Sequence, residues 1–343
     1  MIISQTPVRI SFFGGGADFP EHFTRFGGAV LSTTIDKFVY LTVNYLSNFF
    51  DYRIKISYSK TELVNRVDEI KHPAVRACLK HLGINSNIEI NYFSNLPART
   101  GLGTSSSFVV GLLQALYAYS GRRVSARRLA KEAVFVERDL IPENVGYQDQ
   151  YAAAYGGLNY ICFQGTNDVR IERVVCPPGI LQSLQNNLIL LYTGIQRYSN
   201  EIQKEHVLRI DDNRKLLSNL SELAIRGRDI LCDPDGNLDD FGRLLDEGWK
   251  LKKNMGTGVS SPKIDRMYDH AIRAGALGGK LLGAGGGGFL LLYVPLSGQS
   301  AVRSALPGLL EVSFNFEKNG SQIIFYDPEK LGDPGGGMTN TEA

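Results

Sequence analysis

Glycine constrains this chain more than any other residue. It gathers in three clusters: Gly14, Gly15 and Gly16 in RISFFGGGADFPEHF, Gly101 and Gly103 in NLPARTGLGTSSSF, and five of the six residues from Gly283 to Gly288 in KLLGAGGGGF. A tight turn needs one or two glycines at positive φ. Runs this dense predict backbone held against a ligand or against another loop. The second cluster is the most telling. Four hydroxyl residues, Thr104, Ser105, Ser106 and Ser107, separate its glycines from an apolar run that begins at Phe108. A helix N-terminus presents about four unpaired N–H groups and roughly half a positive charge. Small residues there admit an anion, and hydroxyls add hydrogen bonds or ligate magnesium. An N-cap uses one hydroxyl, not four. Residues Gly101, Leu102, Gly103, Thr104, Ser105, Ser106 and Ser107 are therefore expected to cradle a polyphosphate. The GxxxxGK[ST] pattern is absent, and the third glycine of GxGxxG is missing.

The segments around these clusters mix both periodicities. VRISFF, FVYLTVNYL, IKISY, NIEINYF and NLILLYTG read as strands. FVVGLLQALYAYSG reads as a helix ending at Gly121, and SARRLAKEAVFVERDLI as another with Ser125 as N-cap. Two long amphipathic helices follow, DNRKLLSNLSELAIRGRDIL and LDDFGRLLDEGWKLKKNM, joined by a turn at CDPDGNLDD. Then KIDRMYDHAIRAGALGGKLLGAGGGGFLLLYVP reads as helix, glycine loop, strand. Strands precede helices in both halves without strict βαβ alternation, which favours an α+β fold. The 343 residues suffice for about two domains. These are expected at 1–175 and 176–331, before a disordered tail at 332–343 that lacks core-forming residues.

The formal net charge of +2 gives no electrostatic case for binding nucleic acid or membrane. No apolar run approaches the ~20 residues of a membrane span. No secretion signal opens the chain, and the four cysteines form no CxxC pair. A soluble cytoplasmic protein is expected, with homo-oligomerisation left open. The five histidines show no metal-ligand spacing and are read as structural or solvent-exposed.

The three glycine clusters, in this order, resemble the three motifs of the GHMP sugar and small-molecule kinases, over nearly the whole chain from Pro7 to about Tyr293. RISFFGGGADFPEHF and AGALGGKLLGAGGGGF look most like the D-glycero-D-manno-heptose 7-phosphate kinases, with fucose kinase domains as the nearest rival. The resemblance implies a ribosomal-protein-S5-like N-terminal domain with a left-handed βαβ unit, a ferredoxin-like C-terminal domain, and a site between them. It implies ATP and Mg²⁺ as cofactors and the anomeric hydroxyl of a sugar or sugar phosphate as acceptor. A non-catalytic sugar sensor on the same fold is the alternative of another class, separable by ADP release.

The same resemblance assigns roles. Asp149 in GYQDQY is similar to the family's proposed base, and Arg9 to the basic residue of its first strand. Ser105 and Glu137 are similar to the residues that hold the metal, with Asp139 as the alternative carboxylate. Asp18, with Gly14, Gly15, Gly16, Gly285 and Gly286, is implied to meet the sugar. A substrate phosphate would need cations, for which Arg25, Arg99, Arg197 and Lys280 are candidates.

Overall fold

The computed structural model describes residues 1–97, 100–195 and 199–327, with backbone alone for 199–201. The tail expected at 332–343 lies outside the described residues, as do Arg99 and Arg197.

Two long antiparallel strands organise the first half, β1 (Ile2–Phe13) and β2 (Gly28–Tyr45), joined through a short helix α1 (Pro20–Phe26). β1 alternates at its start but is buried at every residue from Thr6 to Phe13. That pattern marks a strand covered on both faces. A hairpin of β3 (Ile54–Ser57) and β4 (Thr61–Val64) follows, then α2 (Pro73–Leu82) and β5 (Ile88–Ser94). β5 pairs antiparallel with β2 and parallel with β3, with α2 in the crossover. Three helices come next: α3 (Thr104–Tyr119), α4 (Ala126–Phe135) and α5 (Gln148–Tyr155). α3 is buried on nearly every side, as a core helix with little amphipathic character should be. It lies so close to β1 that a Cβ on Gly111 would stand 2.6 Å from Thr6 Oγ1. β6 (Asn159–Gly165) and β7 (Asp168–Arg173) complete this part, with β6 paired to the first residues of β2.

The second sheet is smaller. α6 (Ile180–Asn186) leads into β8 (Leu188–Tyr192), and four helices follow: α7 (Ser199–Leu208), α8 (Arg214–Cys232), α9 (Asp239–Lys253) and α10 (Pro262–Arg273). Then come β9 (Gly278–Leu281), β10 (Phe289–Tyr293), α11 (Gln299–Ala305) and β11 (Leu310–Glu311). The antiparallel order is β11-β8-β10-β9. The expected helices appear as α3, α4, α8, α9 and α10; Ser125 caps α4, and Gly121 ends α3 at φ +66°.

α8 and α9 knit the two sheets into one core. A Cβ on Gly227 of α8 would lie 2.5 Å from the Phe13 ring, and one on Gly242 of α9 2.5 Å from the Tyr293 ring. Phe241 of α9 meets Phe12 and Phe13 edge-on at 5.2 and 5.1 Å between ring centres. Such contacts add about 0.5–1.5 kcal/mol each beyond burial of the rings.

The chain then returns to where it began. β12 (Phe316–Glu317) pairs with β2, and β13 (Gln322–Tyr326) pairs with β1. This corrects the expected second domain at 176–331, because residues 316–326 belong to the first sheet. The four cysteines are free thiols, and among the described residues no helix is long and apolar enough to cross a membrane.

Loss of the returning strands uncovers the outer edge of β1. Truncation after Ser313 is expected to lower stability by on the order of 3 kcal/mol or more, a fall of several degrees in Tm. Calorimetry checks it, and a Tm within about 2 °C of the full chain would contradict it.

Candidate active site

Arg9 of β1 is the meeting point of three segments. Its backbone N–H donates to the Leu102 carbonyl at 3.0 Å, and its Nη1 donates to the Gly101 carbonyl at 2.7 Å. Its Nε and Nη2 donate to the two carboxylate oxygens of Asp149, both at 2.8 Å. This two-pronged geometry is the strong form of the arginine–carboxylate pair. Arg9 is buried, while the Asp149 side chain keeps 25% of its surface exposed. Ser11 Oγ donates to Gln148 Oε1 at 2.7 Å, and Gln148 Nε2 reaches Asp149 Oδ1 at 3.3 Å. Gly103, at φ +74°, lets α3 start beside this carboxylate: a Cβ there would stand 3.1 Å from Asp149 Oδ2.

Asp18 is buried in the turn after β1. Its Oδ1 accepts from the Gly16 N–H at 2.9 Å and its Oδ2 from the Gln148 N–H at 3.1 Å, at the start of α5. Burial, and then the nearby Asp149, push its carboxyl above the usual range against these bonds. Gly146 is held to glycine by this packing, since a Cβ would fall 2.0 Å from Asp18 Oδ2.

The four hydroxyls at the mouth of α3 go four ways, and none caps the helix. Thr104 Oγ1 is buried without a partner among the described residues. Ser105 is exposed. Ser106 Oγ donates to the Glu137 carboxylate at 2.9 Å, and Ser107 Oγ to the Pro7 carbonyl at 2.9 Å. The N–H groups of Thr104, Ser105 and Ser106 precede Ser107, whose N–H begins the intrahelical ladder. Glu137 also accepts from Gln150 Nε2 and lies in a π-helical turn, Val136–Leu140, at the end of α4. Burial pushes its carboxyl up to about 8.

Two cavities meet at the Arg9–Asp149 pair. A groove of about 780 Å³ runs past Gly101, Gly103, Thr104, Ser105, Ser106 and Glu137. A second cavity of about 100 Å³ is lined by Gly15, Gly16, Asp18, His206 and Lys252. Arg9, Ser106, Asp149, Gly283 and Ala284 border both. The wide groove suits a nucleotide, with helix-end N–H groups for its phosphates. The smaller cavity offers a carboxylate and bare glycine backbone, suited to a polyol.

The third glycine cluster works largely against other backbone. A Cβ on Gly283 would stand 2.5 Å from Gly101 Cα, and one on Gly288 2.4 Å from the Thr100 carbonyl oxygen. The Phe289 N–H donates to that carbonyl at 3.3 Å.

Comparison with known proteins fits this geometry. Residues 49–157 match the GHMP kinases N terminal domain, and residues 220–311 match the GHMP kinases C terminal domain. The chain belongs to the GHMP kinase family. It is 29% identical over 304 residues to the D-glycero-alpha-D-manno-heptose 7-phosphate kinase of Campylobacter jejuni, covering 85% of this chain and 89% of that one. It is 28% identical over 348 residues to the L-fucokinase/L-fucose-1-P guanylyltransferase of Bacteroides fragilis, covering 88% of this chain but 35% of that protein. A solved D-glycero-D-manno-heptose 1-phosphate kinase from Bacteroides thetaiotaomicron shares the fold, with a TM-score of 0.76, 24% identity, and coverage of 94% of this chain and 98% of that one.

Within this GHMP kinase most of the expected residues converge, with corrections. Ser106 rather than Ser105 faces Glu137, because successive helix residues turn by about 100° and α3 starts at Thr104. Glu137 itself sits in the π turn, which is wider than an α turn. Asp139 is exposed. Leu102 and Ser107 face inward and line neither cavity. Gly14 is a packing residue, since a Cβ would meet the Ala29 carbonyl oxygen at 1.9 Å. Gly285 borders the wide groove instead of the smaller cavity, and Gly286 borders neither. Arg25 is an exposed partner of Asp211, and Lys280 is buried with its Nζ on the Phe12 carbonyl at 2.7 Å. His206, one of the histidines set aside, borders the smaller cavity with Nε2 3.1 Å from the Gly16 carbonyl oxygen. Gln148 and Gln150 flank Asp149 within GYQDQY, whereas Lys252 stands in no motif and gave no signal in the sequence.

The placement of the two serines yields a paired test. Ser106→Ala is expected to raise the Mg²⁺ concentration for half-maximal activity by roughly tenfold, the worth of one hydrogen bond to a charged group. Ser105→Ala should stay within about twofold of wild type. Magnesium titration of steady-state rates reads both, and the reverse ranking would return the metal role to Ser105.

Proposed function

We propose that this GHMP kinase transfers the γ-phosphoryl group of ATP to the anomeric hydroxyl of D-glycero-D-manno-heptose 7-phosphate. The product would be the 1,7-bisphosphate, on the route to nucleotide-activated heptose for surface polysaccharide. The observation that carries a transfer reaction is the Arg9–Asp149 pair on the wall common to a nucleotide-sized groove and a smaller polyol-suited cavity. A sensor would need neither the pair nor that shared wall. The choice of sugar is supported by the Campylobacter jejuni relative, which spans most of both chains.

Asp149 is the proposed base. Its carboxylate is held in one orientation by both prongs of Arg9. A carboxylate suffices as the base, because a loose phosphoryl-transfer transition state releases the hydroxyl proton late. Asp18 fixes the first glycine turn and the start of α5, and through them places Asp149 against the acceptor. The N-terminus of α3 receives the polyphosphate, with the partnerless Thr104 hydroxyl as a further donor.

A magnesium ion fits the donor set. Glu137 is a buried carboxylate with no cation within ion-pair distance among the described residues, next to the Ser106 hydroxyl. Magnesium takes one or two protein oxygens and draws the rest from water and phosphate, so no cluster of three acids is required. Glu137 and Ser106 would hold it, and when bound it neutralises phosphate charge. The supply of ATP and the four free thiols suit a cytoplasmic enzyme.

A coupled ADP-release assay with heptose, heptose 7-phosphate, mannose and fucose tests the proposal. Heptose 7-phosphate is expected to give the highest kcat/KM; preference for fucose would move the enzyme to the fucokinase branch, and no turnover with any sugar would favour the sensor. Asp149→Asn is expected to keep ADP affinity and lose roughly 10²–10⁴-fold in kcat. A kcat within about threefold of wild type would remove Asp149 from the role of base.

A further inference from the structure

Three lysines occupy the last turn of α9, and they face opposite ways. Lys250 and Lys253 lie outward, paired with Asp246 and Asp265. Lys252 points inward and is 6% exposed. Its Nζ donates to the Leu281 carbonyl at 3.0 Å and to the Gly283 carbonyl at 2.5 Å, on the strand and loop of the third glycine cluster. Among the described residues no carboxylate lies within ion-pair distance of it. A buried ammonium without a counter-ion is costly, and chains keep such a group where a ligand supplies the missing charge.

The position of the ammonium indicates which ligand. Lys252 lines the smaller cavity with Asp18, Arg9 and Asp149. Gly283, whose carbonyl it holds, borders both cavities. An ammonium has three protons, and two are taken by carbonyls. The third remains for an anion at the junction. The charge balance there points the same way. Arg9, Lys252 and Lys280 are all buried and mutually repelling, and Asp149 is the one carboxylate in contact with any of them among the described residues. Burial, with Arg9 adding to it, lowers the Lys252 ammonium to about 7, a displacement that a bound anion would reverse.

Building on the kinase assignment above, we infer that Lys252 is a further catalytic residue, whose free N–H contacts the transferred phosphoryl group between Arg9 and the third glycine loop. The carbonyls of Leu281 and Gly283 hold the ammonium in place before substrates arrive, so no reorganisation accompanies charge development. Lys280 plays no such part, because its Nζ is turned to the Phe12 carbonyl and it lines neither cavity.

Two variants separate the charge from the clamp. Lys252→Met removes both, whereas Lys252→Gln keeps a donor for the carbonyls and loses the charge. In both, kcat is expected to fall roughly 10–100-fold, the worth of a hydrogen bond to a charged group. KM for ATP and for heptose 7-phosphate should stay within about threefold. Aluminium fluoride should tighten ADP binding in the presence of sugar for wild type and fail to do so in either variant. If Lys252→Met does not fold, Lys252→Gln carries the test. A kcat within about threefold of wild type overturns the inference. So does a rise in KM for heptose 7-phosphate at unchanged kcat, which would give Lys252 to the substrate's own phosphate. Recovery of kcat in Lys252→Gln would reduce it to a structural clamp. In all three cases an active wild type leaves the kinase assignment standing. A wild type silent on every sugar overturns both.

Discussion

The two-pronged contact of Arg9 with Asp149 is the constraint around which this molecule is arranged. One guanidinium from the middle of β1 fixes the second glycine cluster through the Gly101 carbonyl and the start of α5 through Asp149. Taking a charge pair out of water costs several kcal/mol per ion, and the mutual attraction recovers this only with good geometry and satisfied protons. Nε, Nη1 and Nη2 all have acceptors, and the pair lies at the floor where two cavities join. Its worth is therefore placement. Burial of β1 shields the guanidinium, and α3 can begin beside the carboxylate because Gly103 carries no side chain.

The charges near that pair are left deliberately uncomfortable. Buried acids are displaced upward, Glu137 to about 8 and Asp18 also above its usual range, while Lys252 is displaced downward to about 7. In each case desolvation is the first cause. Burial thus disfavours the charged form of acid and base alike, and they are not neutralised by pairing with each other. A surface of this kind favours ligands that bring the complementary charges, a divalent cation on one side and phosphate on the other.

Much of this was legible in the sequence, and the exceptions have physical causes. The glycine clusters marked both cavities because bare backbone is needed wherever two loops approach within a Cβ radius, as at Gly101 and Gly283. The helices α3, α8, α9 and α10 announced themselves by length and period. Ser105 and Ser106 could not be told apart from composition, since the phase of a helix is set by its first residue. α5 was not expected as a helix because it has almost no apolar face, and Asp18 at its start supplies the acceptor that a local cap would. Lys252 was invisible because a lysine at the end of an amphipathic helix reads as solvated. β12 and β13 were assigned to the wrong half, because short strands carry no mark of the distant strand they join.

The return of β13 to β1 also bears on how the chain is made. Among the described strands β1 is made first and β13 last, so the edge at Ile2–Gln5 waits for all the strands between them before its partner exists. An unpaired edge is a template for pairing with another chain. The nascent first half therefore emerges with that edge open, and its sheet is completed only after the second half has been made. Whatever delays the making of β13 lengthens the time that edge stays open, although it touches no residue of the site.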